Sequence, residues 1–587
     1  MSIVQGLTQL FKRRGAFFIV GLTGRTGSGC STAAELLCRE FSNLPLDPVA
    51  SPLATPEDRK YRIIRQYANS NWMRFRTVSV TQTILTFALD SDSAALNVFL
   101  RKYLKDSERE AFSNEVARIA EIWKTVKMVI EKGPRKIATE TAQFLEFWDH
   151  ELKNLLNICK RTLGANYPTV FQIFGDNLRS SGSVLDSTFV ADKIYQLPER
   201  VAEIIVALRE LDIANGQACR VAIDALRNPF EIQYFRQRFA PFYLIAITTP
   251  DNDRKSRLQV RQGMTLPDIK KLDMKEYPSQ NKPLGGENQF VSQNIQACIE
   301  KADIFVRNEG TAKEGASVDL KDLAKQLLMF TTLMQHPGLI TPSKTERCMQ
   351  IAYSAKANSG CLSRQVGAAV SDQHYSIRSV GWNDVPAGQI SCLLRSASDL
   401  LDSNDEMAFS DYELEDDKFR KHLAGRYKIF NVASAEGRSP SFCFKSEYNA
   451  LEKKNNQVHT RSLHAEENAF LQISKYGGVG LENGILFSTA SPCELCSKKA
   501  FQLGIKKIYY IDPYPGISMS HILGSGNKAM RPKVELFFGA VGQAFHRLYD
   551  PILPSKDETE VFLAPEKQDP VANLSPQSST SSLGSST

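Results

Sequence analysis

No stretch of this 587-residue chain approaches the run of about 18 apolar residues that a bilayer-spanning helix requires, which excludes a helical membrane protein. Cysteine is sparse at 11 residues, tryptophan sparser at 4, and histidine numbers only 8. So few thiols in so long a chain argue against a disulfide framework and for a reducing, cytoplasmic setting. A strong charge of one sign is also missing. The 72 basic and 65 acidic residues leave +7, which suits anionic small molecules but is not the footprint of a nucleic-acid binder. What is present is ordinary for a globular protein, 42% hydrophobic and 23% charged, and the length calls for two to four domains. Lys12, Arg13 and Arg14 precede an apolar run over 16–22, a pattern that imitates a signal peptide. The run passes straight into glycines with no cleavage site, so it is read as a first buried strand. At the other end, Ser575 to Thr587 is nearly all serine, threonine and glycine, and 556–587 is expected to be a disordered tail.

After that strand comes Gly21-Leu22-Thr23-Gly24-Arg25-Thr26-Gly27-Ser28-Gly29-Cys30-Ser31-Thr32, followed by a helical pattern. Strand, glycine-rich loop and helix form the context in which backbone N–H groups and a helix terminus cradle phosphate. Gly24, Gly29 and Ser31 fit the Walker A pattern, but Cys30 stands where the lysine belongs. The loop, Gly24 through Ser31, is expected to bind a nucleotide without the point charge that phosphoryl transfer needs. A second apolar strand, Val221-Ala222-Ile223, ends in Asp224, a Walker B-like place for Mg²⁺. With Arg227-Asn228-Pro229 after it, the pattern over 20–40 and 220–262 resembles P-loop nucleotide and dephospho-coenzyme A kinases. The resemblance makes Arg254, Arg257 and Arg261 lid arginines; charge pattern alone makes them a solvated basic face. Between these parts, Ile119, Trp123 and Val126 and then Phe144, Trp148, Leu152 and Leu155 recur at helical spacing around Gly133-Pro134. They predict an αα-hairpin within an insertion at about 95–165.

The densest chemistry lies between His464 and Cys496. His464-Ala465-Glu466 is separated by 25 residues from Pro492-Cys493-Glu494-Leu495-Cys496. One imidazole and two thiolates make three zinc ligands and leave a fourth place for water, the catalytic rather than the structural pattern. Such sites bring the pKa of that water to about 7. Glu466 is the carboxylate that moves protons. Pro492 is expected in the first turn of a helix that carries both cysteines on one face, and His464 at the start of another. Glu467, about 100° round that helix from Glu466, is expected to cap or to face solvent.

With Ser359-Gly360-Cys361, Val366-Gly367-Ala368 and Gly381-Trp382-Asn383-Asp384-Val385-Pro386, this motif resembles deoxycytidylate deaminases over 340–515. The resemblance implies that His464, Cys493 and Cys496 hold Zn²⁺, that Glu466 acts as base and then acid, and that Asn383 contacts the nucleoside. Turn chemistry is the alternative role for Asn383. The two-part order resembles the bacterial anti-phage dCTP deaminases. The expected architecture is α/β: a P-loop kinase-like parallel sheet over 1–335 with its helical insertion, then an α-β-α cytidine deaminase-like domain over 336–555. The implied activity is that of a hydrolase on a cyclic amidine, converting dCTP, and also dCMP, to the deoxyuridine nucleotide in antiviral defence. Zn²⁺ is the expected cofactor, with a nucleotide and Mg²⁺ at the loop. A regulatory RNA or other inhibitor and a homo-oligomer are the expected partners, and no membrane. Alternatives are a dCMP deaminase of pyrimidine biosynthesis, a polynucleotide deaminase using Trp382, Tyr510, Tyr514, Lys506 and Lys507, a kinase, and a scaffold. Arg59, Lys60, Arg62, Arg65, Arg74 and Arg76 form the basic stretch an RNA would use, or else a solvated helix face.

Overall fold

The computed structural model describes residues 3–132, 143–276, 288–311, 318–430, 435–478, 480–512 and 517–563. Gly133-Pro134, Tyr514 and the serine-rich stretch after Ser575 lie outside them.

Two sheets organise the chain. The first contains β1 (Phe17–Thr23), β2 (Arg76–Ser79), β3 (Cys219–Asp224), β4 (Phe242–Thr248) and β5 (Ile304–Arg307), parallel in the order β5-β4-β1-β3-β2. Strands buried on both faces read as continuous apolar runs, and β1 shows why. Phe18, Val20 and Leu22 enter one core while Ile19 enters the other. β4 divides likewise, with Tyr243, Ile245 and Ile247 opposite Phe242, Leu244 and Ala246. Strand order reverses at β1, and crevices for ligands form at the carboxyl ends of strands at such a point. The glycine-rich loop leaves β1 there.

Among the described residues, helices predominate between β2 and β3, from Val80 to Ala214, a longer excursion than 95–165. The helix Asp106–Lys132 packs against Leu152–Leu163, and Trp123, Phe147, Trp148 and Leu155 are buried between and beside them. Their stripes are packing surfaces. Trp123 stacks on Phe147 and donates its indole N–H to Asp90 at 2.8 Å.

The second sheet contains β6 (Gly367–Ser371), β7 (Ile377–Trp382), β8 (Ile485–Ala490), β9 (Lys507–Asp512) and β10 (Lys533–Leu536) in the order β10-β9-β8-β6-β7. β8, β9 and β10 run parallel, and β6 is antiparallel to both of its neighbours. Between β7 and β8 the segment 385–462 builds a satellite core of its own around Ala397, Leu400, Phe419, Leu423 and Phe442. The buried ion pair Arg395–Glu413 holds it, with the Arg395 guanidinium 4.8 Å from the ring centroids of both Phe409 and Phe442.

The chain then returns. β11 (Gly539–Ala540) pairs antiparallel with β5 at the edge of the first sheet. The helices Gly542–Tyr549 and Ser555–Leu563 pack on that sheet's helices, so 555–563 is ordered helix where a tail had been expected. Two acids at the start favour the helix, Asp557 and Glu558 lying at its N-terminus, and Glu558 meets His336 at 2.9 Å. The outgoing and returning segments are laced together. Gly338 N–H donates to the Leu548 carbonyl at 2.9 Å, and Glu346 Oε1 accepts from Ala540 N–H at 3.0 Å and from the Tyr549 hydroxyl at 2.6 Å. Among the described residues no helix is long and apolar enough to cross a membrane. Arg76, counted in the basic stretch, pairs with buried Asp212 at 2.7 Å, Arg59 and Arg65 donate to backbone carbonyls, and Lys60 donates to Pro342.

Candidate active site

His464 is the N-cap of the helix Ala465–Tyr476, and Cys493 is the N-cap of the helix Glu494–Gln502. This corrects the expected placement of Pro492 and Cys493 inside the helix. Cys493 has an extended backbone (φ −67, ψ 176), so the helix begins one residue later and only Cys496 lies in its first turn. The cap position turns the Cys493 thiol toward His464. Its Sγ is 3.2 Å from His464 Nδ1, and Cys496 Sγ is 3.5 Å from the same atom. All three ligand atoms lie within 4.8 Å of one another. Tetrahedral zinc with bonds of about 2.3 Å to sulfur and about 2.0 Å to nitrogen separates S and N by about 3.6 Å, so the donor set fits that ion. Hydrogen bonding from Cys496 and from His464 holds the Cys493 thiol well below its usual range, while Cys493 and burial push Cys496 up.

Glu466 is 4% exposed. Ser488 Oγ, from the middle of β8, donates to Glu466 Oε1 at 2.7 Å, and burial pushes the carboxyl above the ordinary range. Ser488 was not singled out from sequence; its signal is the hydroxyl pair Ser488-Thr489 late in an apolar strand. Glu467 stays partly exposed and does not cap: it pairs with Lys499 and ties the two ligand-bearing helices together.

Two glycines let helices lie close on this sheet, Gly381 for the helix Ala465–Tyr476 and Gly367 for the helix Lys344–Ala355. A Cβ on Gly381 would strike the backbone of Ala465 and Ala469, and one on Gly367 that of Ala352 and Lys356. Gly381→Ala should therefore displace the helix that carries Glu466. The expected cost is about 1–3 kcal/mol, read by thermal melting, with activity falling more than zinc content.

Asn383 sits where the segment 385–462 leaves the sheet, and the bridge Asp384–Leu463 closes that segment beside His464. Asn383 is 7% exposed, its Oδ1 accepts from Val366 N–H at 2.6 Å, and its amide nitrogen donates to the Arg364 carbonyl. It thus shapes the backbone next to the site. An amide has two N–H groups and two lone pairs, so one of each remains after these bonds.

Behind the Pro492 turn lies a pair that sequence reading missed. Asp512, at the end of β9, is fully buried and paired with Arg364, which also meets Glu300 at 3.0 Å, and Gln296 donates to Asp512 at 3.2 Å. Gln296 and Glu300 belong to the helix Ile295–Glu300 of the first sheet's unit, so this cluster joins the two units. Burial, only partly opposed by Arg364, pushes Asp512 up to about 7. The folded state then binds this proton more tightly than the unfolded chain, whose aspartate has a pKa of about 3.9. The associated stability is complete below about 3.9 and lost as pH rises through about 7. Melting from pH 5 to pH 8 should show the wild type losing stability relative to Asp512→Asn.

The other predicted residues gather at the end of β1. Gly24, Gly27 and Gly29 have φ of 159°, 87° and 103°, and a Cβ at each would collide with Ser28, Leu258 and Asn308 respectively. The helix Cys30–Leu37 starts at the loop, and Ser31 lies beside Asp224, whose carboxyl is pushed up by burial against the Ser31 hydrogen bond. Cys30 is pushed up to about 12 by burial and by Asp224, so its thiol stays neutral. Arg25 pairs with Asp251 at 3.1 Å and Asp273 at 2.8 Å. Arg254 is fully buried, pairs with Asp273 at 2.8 Å and donates to the Thr26 carbonyl at 3.2 Å. Arg257 donates to the carbonyls of Asn308 and Gly310. Arg254 and Arg257 therefore brace the loop and are not a solvated face, while Arg261 is exposed.

Residues 342–512 match the family described as the cytidine and deoxycytidylate deaminase zinc-binding region, so this part of the chain is a zinc-binding deaminase domain and the protein a hydrolytic deaminase. The deoxycytidylate deaminase of Enterobacteria phage T4 is 28% identical over 176 residues, 29% of this chain and 79% of that protein. The deoxycytidylate deaminase of Schizosaccharomyces pombe is 27% identical over 179 residues, 30% of this chain and 40% of its own. The solved dCMP deaminase from the cyanophage S-TIM5 in apo form aligns at 23% identity over 34% of this chain and 100% of that one, with a TM-score of 0.20.

Proposed function

We propose that the protein hydrolytically deaminates a free deoxycytidine nucleotide, dCTP and also dCMP, to the deoxyuridine nucleotide. The observation that carries this reading is the convergence of His464, Cys493 and Cys496 beside the buried carboxylate of Glu466. His464, Cys493 and Cys496 would hold zinc, which when bound supplies the acidified water that attacks an amino-bearing ring carbon. Glu466 takes a proton from that water and delivers one to the pyrimidine ring nitrogen. It then takes the second proton, from the hydroxyl now attached to the ring carbon, and passes it to the amine, so that the C–N bond breaks, the carbonyl forms and ammonia leaves. Ser488 orients the carboxylate by donating to Oε1. The preference for the triphosphate, and a role in anti-phage defence by draining the cytosine nucleotide pool, rest on the resemblance of the two-part order to bacterial dCTP deaminases.

The loop after β1 is read as a phosphate site on a P-loop kinase-like unit. Its place at the reversal of strand order, its three glycines at positive φ, and Ser31 beside Asp224, where Mg²⁺ would sit, support this. With Cys30 neutral where a lysine would be, the unit binds nucleotide as a regulator and does not transfer phosphate.

The test is purified, zinc-loaded protein supplied with labelled dCTP, dCMP and a cytosine-bearing oligonucleotide in competition. Release of ammonia with dUTP or dUMP formation is expected. Folded, zinc-loaded protein inert toward both free nucleotides would refute the proposal, and turnover of the oligonucleotide alone would put a polynucleotide deaminase in its place.

A further inference from the structure

The glycine-rich loop already holds an anion, and it belongs to the chain itself. Glu276, the last residue of the helix Leu266–Glu276, is 1% exposed. Its Oε1 accepts from Thr26 N–H at 2.9 Å and from the Thr26 hydroxyl at 2.5 Å. Arg227, from the segment after β3, reaches the same oxygen at 3.5 Å and donates to the Thr26 hydroxyl at 3.0 Å. A loop N–H, a loop hydroxyl and a guanidinium converging on one oxygen are the donors that an anionic phosphate oxygen takes at such loops. Among the described residues the second oxygen, Oε2, is buried with no hydrogen-bond partner, so the carboxylate fills the place without satisfying it.

The helix that brings Glu276 is anchored in the same manner. Leu266 and Met274 are 58% and 60% exposed, and Ile269 is its one buried apolar side chain among the described residues. Asp273, one turn before Glu276, pairs with Arg25 of the loop and with Arg254 at 2.8 Å each. An element with so little buried apolar surface, tied down through carboxylates on cations, opens at low cost. Those ties are also the contacts for which an incoming anion competes. Two carboxylates leaving and two phosphate groups arriving keep the local charge balanced.

We propose that Glu276 and Asp273 occupy the loop in place of a polyphosphate, and that the polyphosphate of a nucleotide displaces them and releases the helix Leu266–Glu276. The loop is then latched by its own chain, and Arg227 supplies the positive charge that Cys30 cannot. This rests on the reading of the loop as a phosphate site.

Full-length protein is titrated calorimetrically with sodium tripolyphosphate and with Mg·ATP. Both Glu276→Ala and the more conservative Glu276→Gln should bind at least about tenfold more tightly than wild type, and Arg227→Ala added to either should cancel the gain. Melting curves establish that each variant is folded, and the Gln variant answers if the Ala variant is not. In wild type, saturating tripolyphosphate should lower hydrogen-exchange protection across 266–276. Tighter binding of Mg·ATP alone would assign the site to a nucleoside, and equal gains to the polyphosphate only; both support displacement. Unchanged affinity in both Glu276 variants, with binding abolished by Gly27→Val, overturns the latch and leaves the phosphate site standing. No binding by any variant overturns the phosphate site and the latch with it.

Discussion

Glu466→Gln should leave a folded, zinc-loaded protein that is nearly inactive, with kcat reduced by roughly 10³–10⁴ and KM little changed. Proton transfer by one positioned group contributes about 10²–10⁴, and here one group serves both the attack and the departure of ammonia. Glutamine preserves size and still accepts from Ser488, so the bond at 2.7 Å survives while proton transfer does not. Because the loss is confined to the reacting state, kcat and kcat/KM should fall together. Single-turnover kinetics beside a zinc assay would check this. A variant retaining more than about a tenth of wild-type kcat would mean that another group relays the proton.

Cys496→Ala should do something different: remove the metal. Cys496 is 1% exposed, and its sulfur is one of three donors within 4.8 Å. Two donors give no catalytic zinc site, because three protein ligands hold the ion and the fourth position belongs to water. Zinc after dialysis should fall from about one per chain to a small fraction, with activity falling in proportion. Stability should fall as well, since zinc bound only by the folded state contributes to folding. Metal analysis and melting with and without chelator would check it: the chelator should lower the melting temperature of wild type and leave the variant unmoved. Together the two variants separate the carboxylate's work from that of the ligands.

These residues were legible because their chemistry is local. His464 with Glu466 and Cys493 with Cys496 stand at short, fixed spacings, and Gly24, Gly27 and Gly29 mark positive φ within a single turn. The apolar run over 16–22 also announced the strand Phe17–Thr23, being buried on both faces. What could not be read depends on distant partners. Nothing in the sequence around Glu276 links it to Thr26, 250 positions earlier, nor Arg364 to Asp512 across 148. Gly539–Ala540 is too short to carry an alternating pattern, so its addition to the first sheet left no sign. The start of the helix at Glu494 lies two residues past Pro492 because the extended cap at Cys493 is set by convergence on His464, which propensity does not record.

The lacing of 338 to 548 and of 346 to 540 and 549 has a mechanical result. The two crossings between the units are fastened side by side, and the Arg364–Asp512–Glu300 cluster pins the same two units at a separate point. Severing the polypeptide between 343 and 536 would leave the first sheet's edge strand β11 and the helix Gly542–Tyr549 on the other fragment.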